Sequence, residues 1–277
     1  MQPVGPIAVV ELFPPLSRAL RALLEALQPD DWARPTVCGA WTVKDVAAHL
    51  LGGSFSRLWE RAETAAAPGA PALEYGALLA LIDRNNARWV QAARRISPEL
   101  LIELLDLTDR RLYEHFKRLD PHAPAGITVA WASDGPAPNW LDVAREYTEK
   151  WLHQQHIRAA VGQPGLFERD WLFPVLDTFV RGLPRTFRNV PAREGASVVL
   201  RVSGEAGGEW TLVRAGPGWQ LFAGRGPHAD SVVQLDQDLA WRLFTKGISR
   251  AAARRRVQIE GAAALGERVL ELVAIMA

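Results

Sequence analysis

"REYTEKWLHQQHIRAAVG", residues 145–162, is the stretch whose reading decides the fold. Glu146, Glu149, His153 and His156 follow one another at spacings of three, four and three. On a helix those spacings lay all four side chains along one stripe. Trp151 and Leu152 fall off the stripe. A seam inside a helical bundle is expected to be apolar. A polar one is costly unless its groups are paired with each other or bound to metal. The pattern predicts a helix over about 140–161, stopped by Gly162 with Pro164 beyond it.

Working outward, leucines at near-helical spacing predict a first helix over 7–28, with Pro14 and Pro15 delaying its start to about residue 14. Thr42 is a good N-cap. Asp45, three residues on, makes a capping box with Asp in place of the usual Glu. A second helix then runs to about residue 66, and "AAAPGAPA" (65–72) breaks it. A third helical region covers about 73–96, and Ser97-Pro98 restarts it over 98–118. Residues 119–139 read as a long Pro-, Gly- and Ala-rich loop, with "ITVAWA" as a short extended piece. The whole predicts an up-and-down four-helix bundle over residues 1–165.

The pattern changes after residue 165. "RDWLFPVLDTFVRGLPRTFR" reads as a helix with prolines near its middle and end. "ASVVLRVSG", "GEWTLVRAG", "GWQLFAG" and "SVVQLD" read as short strands between glycine turns. "QDLAWRLFTKG" and "AAALGERVLELVAIMA" return to helical periodicity. Residues 166–277 are therefore expected to form a small α+β unit.

Composition narrows the function classes. The chain has 277 residues, 48% hydrophobic and 23% charged, and a formal net charge of +1. That balance argues against nucleic acid as a partner. Arg254, Arg255 and Arg256 are read as a solvated helix end. The single cysteine, Cys38, excludes an internal disulfide and a structural cysteine zinc site. No signal peptide and no bilayer-spanning apolar run is legible, so a cytoplasmic protein, monomer or homodimer, with no membrane partner is expected.

Glu149 and His153 stand one helical turn apart, so both can address one ion, and His49 on the second helix can supply a third ligand. Two imidazoles and a carboxylate suit zinc or another divalent transition metal, and three protein ligands leave a coordination position open. The competing reading is a set of satisfied polar residues on a wet face. His115, His122 and His228 read as ordinary surface residues. His156 is open between ligand, a group behind the ligands, and an exposed side chain. Asp45 either orients the other ring nitrogen of His49 or caps the helix. Gly52 and Gly53 either leave room for a substrate or permit close helix packing.

"GAWTVKDVAAHLLGG" and "REYTEKWLHQQHIRAAVGQPG" together resemble the second- and fourth-helix signatures of the mycothiol-dependent maleylpyruvate isomerase family, within the DinB-like four-helix metalloprotein superfamily. The final segments from "SVVQLDQDLAWRLFTKGI" to "VQIEGAAALGERVLELVAIMA" are similar to that family's sterol-carrier-protein-like C-terminal domain. The resemblance implies a divalent metal, zinc first, held by His49, Glu149 and His153. It also implies a low-molecular-weight thiol, mycothiol or similar, as cosubstrate. Such a thiolate adds to an electrophilic double bond. Elimination after bond rotation gives cis–trans isomerisation of a substrate such as maleylpyruvate, and retention of the adduct gives S-transfer. An arginine holding the substrate carboxylates is implied as well, with Arg84, Arg88 and Arg242 as candidates by location and a surface role as the alternative for each. Asn85, on the same helical stripe as Leu78, Ile82 and Trp89, is either a pocket contact or the cap of a packing defect. Two other readings stay open: a non-catalytic metal-containing protein carrying a small apolar ligand, and a metal-dependent hydrolase.

Overall fold

The first helix, α1 (Phe13–Glu25), starts at the residue before Pro14-Pro15, where the missing proline donors cost nothing. In this computed structural model the described residues are 1–58, 75–125, 129–132 and 135–274. The break at 65–72, the end of the second helix and part of "ITVAWA" lie outside them. Five longer helices are α1, α2 (Val43–Leu58), α3 (Tyr75–Ala93), α4 (Pro98–Lys117) and α5 (Asn139–Ala160). Ser97 caps α4 by accepting from the Leu100 amide, and Pro98 opens it. The third helical region is thus two helices, with α3 packed on α2 and α4 packed on both α1 and α2.

The chain clusters into two units that do not follow a single cut at residue 165. One comprises Val9–Asp120 and Glu149–Gly165. Its core gathers Leu20, Leu23 and Leu24 of α1, Val46, Ala47, Leu50 and Leu51 of α2, Leu101 and Leu105 of α4, and Ile157 of α5. The other comprises Met1–Ala8, Pro121–Thr148 and Leu166–Met276. Two contacts explain why early segments join the later ones there. Gln2–Pro3 is a strand of the sheet, and the Tyr147 hydroxyl donates to the Trp171 carbonyl at 3.2 Å.

That second unit is built on a six-stranded mixed sheet of β1 (Gln2–Pro3), β2 (Ser197–Ser203), β3 (Gly208–Ala215), β4 (Gly218–Ala223), β5 (Ser231–Asp236) and β6 (Gln258–Gly261). The order is β1-β4-β3-β2-β5-β6, with β2 and β5 parallel and every other pair antiparallel. Central β2 is buried almost throughout, which its continuous run "SVVL" requires. The four strands expected from sequence are present, and β1 and β6 extend the sheet at its edges. Helices α6 (Arg169–Phe179, with Pro174 inside), α7 (Leu183–Thr186), α8 (Gln237–Phe244), α9 (Arg250–Arg254) and α10 (Ala263–Val269) complete this unit. The molecule is therefore mainly helical with a C-terminal mixed-sheet part. The Arg254–Arg256 run does end a helix. Arg254 pairs with Glu267, and Arg256 with Asp236 at 3.1 Å. Among the described residues no helix is long and apolar enough to cross a membrane.

Candidate metal centre

The N-terminus of α2 is built as its sequence implies. Thr42 N–H donates to Asp45 Oδ2 at 3.1 Å, and Asp45 N–H donates back to Thr42 Oγ1 at 3.3 Å. Arg94 then clamps Asp45 through both oxygens, each at 2.9 Å. Burial alone would push the Asp45 carboxyl up, but Arg94 and the Thr42 amide outweigh it and hold it below the usual range. Of the two roles open to Asp45, the structure shows the cap, with Arg94 as its charge partner.

One turn on, His49 points towards α5. Its Nε2 lies 3.0 Å from Glu149 Oε1, and His153 Nε2 lies 3.1 Å from the same oxygen. The two rings stand edge to face with centroids 4.6 Å apart, and Trp41 stacks obliquely on His49 at 5.0 Å. The donor atoms of His49, Glu149 and His153 all lie within 4.8 Å of one another. His49 and His153 expose only 10% and 13% of their side chains, whereas Glu149 exposes 35%. Glu149 is therefore the most exposed of the three. Burial pushes the Glu149 carboxyl up, but the His153 and His49 imidazoles outweigh it and hold it well below the usual range. Glu149 is thus a carboxylate facing two imidazole nitrogens, and this donor set fits a divalent transition metal with a vacant coordination position.

The rest of the polar stripe divides. Glu146 pairs with Arg145 at 3.1 Å. His156 Nδ1 lies 3.0 Å from Cys38 Sγ, and His153 Nδ1 lies 3.9 Å from the same sulfur. Burial pushes the Cys38 thiol up. His115, His122 and His228 are exposed.

Gly52 packs directly against Trp89, whose indole N–H donates to the Ala48 carbonyl at 2.7 Å. Its hydrogen side chain therefore serves helix packing, the second of the two roles open to it. Arg84, Asn85 and Arg88 are exposed on α3. Arg242 pairs with Asp238 at 2.9 Å and lies over the Trp241 ring.

One feature of the bundle has no counterpart in the sequence reading. Lys150 is buried beside Glu149 and donates to Asp109 Oδ1 at 2.8 Å and to Ser54 Oγ at 2.9 Å. This joins α5 to α4 and to the same helix that carries His49. A lysine next to a candidate ligand was the available signal, but its partners lie 41 and 96 residues away.

No curated protein matches the chain in sequence. Among solved structures, a mutant of mycothiol-dependent maleylpyruvate isomerase is similar at 15% identity and a TM-score of 0.49, covering 91% of this chain and 92% of that one. The unmutated form gives 15% identity, a TM-score of 0.46, and coverage of 84% and 88%. A sterol carrier protein 2 like 2 from Aedes aegypti gives 15% identity, a TM-score of 0.25, and coverage of 31% and 81%. Residues 13–158, more than half of the chain and the stretch that contains His49, Glu149 and His153, match the mycothiol maleylpyruvate isomerase N-terminal domain, and the chain belongs to that family.

Proposed function

We propose that this protein is a metal-dependent isomerase that uses a low-molecular-weight thiol, mycothiol or a close equivalent, to interconvert cis and trans forms of a small electrophilic acid of the maleylpyruvate type. The observation that carries the reading is the convergence of His49 Nε2 and His153 Nε2 on one oxygen of Glu149, at 3.0 and 3.1 Å, within the family-matched region. His49, Glu149 and His153 would hold a divalent cation, zinc first. A cation bound there supplies Lewis acidity, lowering the pKa of a coordinated thiol so that the thiolate exists at neutral pH.

The chain's own residues prepare the position. Arg94 and the Thr42 cap fix the first turn of α2, and hence the direction of His49. Glu149 is already ionised and offsets part of a dication's charge. Glu149 is more exposed than either histidine, so a thiol would enter from its side.

The test supplies maleylpyruvate with mycothiol, bacillithiol or glutathione and follows the isomer ratio. Isomerisation that requires a thiol and is lost in His49→Ala and Glu149→Ala is expected. Turnover without any thiol, or water-dependent cleavage of an ester or amide instead, would replace this reading with the hydrolase one. Retention of apolar ligand without turnover would favour a carrier.

A further inference from the structure

Cys38 sits on a loop closed by its own main chain. Pro35 and Thr42 form a β-bridge, the Thr36 amide donates to the Trp41 carbonyl at 3.0 Å, and the Trp41 amide donates to the Cys38 carbonyl at 3.2 Å. The Cys38 amide donates to Thr36 Oγ1 at 3.1 Å, and Gly39 takes the left-handed conformation (φ +63°) that the turn needs. The thiol is thereby held towards α5. There it meets Nδ1 of His156 at 3.0 Å and Nδ1 of His153 at 3.9 Å, and the three donor atoms lie within 4.8 Å of one another. Ligands about 2.0–2.3 Å from a tetrahedral zinc-like ion stand roughly 3.5 Å apart. The spacing therefore brackets what a single ion requires. A sulfur with two imidazoles favours soft divalent ions over magnesium or calcium.

We propose that Cys38, His156 and the Nδ1 edge of His153 form a second cation site, selective for thiophilic divalent ions such as cadmium and zinc. It is separate from the first in its atoms, since His49 and Glu149 face the Nε2 edge of His153. Binding releases the thiol proton to solvent as the sulfur–metal bond forms. A neutral imidazole offers one lone pair, so His153 serves one position at a time. A soft ion held by Cys38 draws that lone pair to Nδ1 and leaves a proton on Nε2, facing Glu149. The second site thus competes with the first for His153.

Cys38 is the only cysteine, so alkylation by iodoacetamide followed by intact mass reads this site alone. The His49→Ala chain disables the first position while sparing the second, and Glu149→Gln serves as an independent background. In either, cadmium is expected to slow alkylation by about tenfold or more, with magnesium without effect. Adding His156→Ala is expected to abolish protection, and adding Cys38→Ser to remove one equivalent of bound cadmium. Alkylation equally fast with and without cadmium overturns the proposal. So does protection that survives His156→Ala, which would mean cadmium bound to the bare thiolate. These outcomes are independent of whether the first position binds metal, which is read separately in Cys38→Ser protein.

Discussion

Oε1 of Glu149 lies 3.0 Å from Nε2 of His49 although a hundred residues separate them. The same oxygen meets His153, one helical turn along α5. In the absence of a cation this is a hydrogen-bonded triad, and a cation replaces those hydrogen bonds with coordinate bonds. Measured in the Cys38→Ser background, protein purified without added metal is expected to hold about one zinc per chain, and His49→Ala or His153→Ala to reduce it roughly tenfold or more. Elemental analysis checks this. Equal metal content in all three chains would leave the triad a structural hydrogen-bond cluster.

The Asp45–Arg94 clamp sets an acid limit on the bundle. Asp45 is held below its ordinary range in the folded protein. A depressed carboxyl contributes stability that is present above its unfolded pKa, about 4, and that is lost as pH falls through the folded value. Thermal melts are expected to fall towards lower pH below about pH 4, with a shallower slope in Asp45→Asn. Parallel slopes for the two chains would remove Asp45 from the account.

Gly52→Ala tests the packing role of that glycine. The added methyl overlaps the Trp89 indole and must displace it from the Ala48 carbonyl. Overpacking costs about 1–3 kcal/mol, against a helix-propensity gain of about 1 kcal/mol. A net loss of stability, together with a changed Trp fluorescence spectrum, is expected in chemical denaturation. A stabilised variant with unchanged fluorescence would show that Trp89 yields freely.

The buried Lys150–Asp109 pair tests how α5 is held. Asp109→Ala strands a buried ammonium, and about 3–5 kcal/mol of destabilisation is expected. Asp109→Leu combined with Lys150→Met removes both charges and should recover most of it. Denaturant midpoints of the single and double variants decide the matter. Equal losses in both would mean that packing volume, rather than charge, is what the pair supplies.

Gln154 is fully buried, and neither its amide oxygen nor its nitrogen has a partner among the described residues. An unmet buried amide costs about 1–3 kcal/mol. Gln154→Met keeps the length and removes the cost, so the melting temperature is expected to rise by about 2–4 °C per kcal/mol regained. A fall on calorimetry would point to a bound water that the amide satisfies.

The parts legible in sequence were those written in local period. The Glu149–His153 turn, the Thr42–Asp45 box and the four glycine-bounded strands each depend on neighbours within a few residues. His49 was reachable because a histidine on an apolar helix needs a partner and α5 offered one. Cys38 was not reachable in the same way. Its relation to His153 and His156 depends on how an eight-residue loop folds back, which no helical or strand period encodes. The Lys150–Asp109–Ser54 link and the Gly52–Trp89 contact were hidden for the same reason, since each joins helices far apart in the chain. The strand β1 was missed because two residues carry no alternation to read.

That two-residue strand bears on the order of events at the ribosome. Gln2 pairs with Ala223, and Pro3 with Phe222. Gln2 and Pro3 must therefore wait for more than two hundred later residues before their place in the sheet exists. The unit made of Val9–Asp120 and Glu149–Gly165 has its segments in hand far earlier and can settle during synthesis, while the pairing of Gln2 and Pro3 waits for β4. Until that pairing forms, the β4 edge stands uncovered, the state in which a nascent sheet is most open to pairing with another chain.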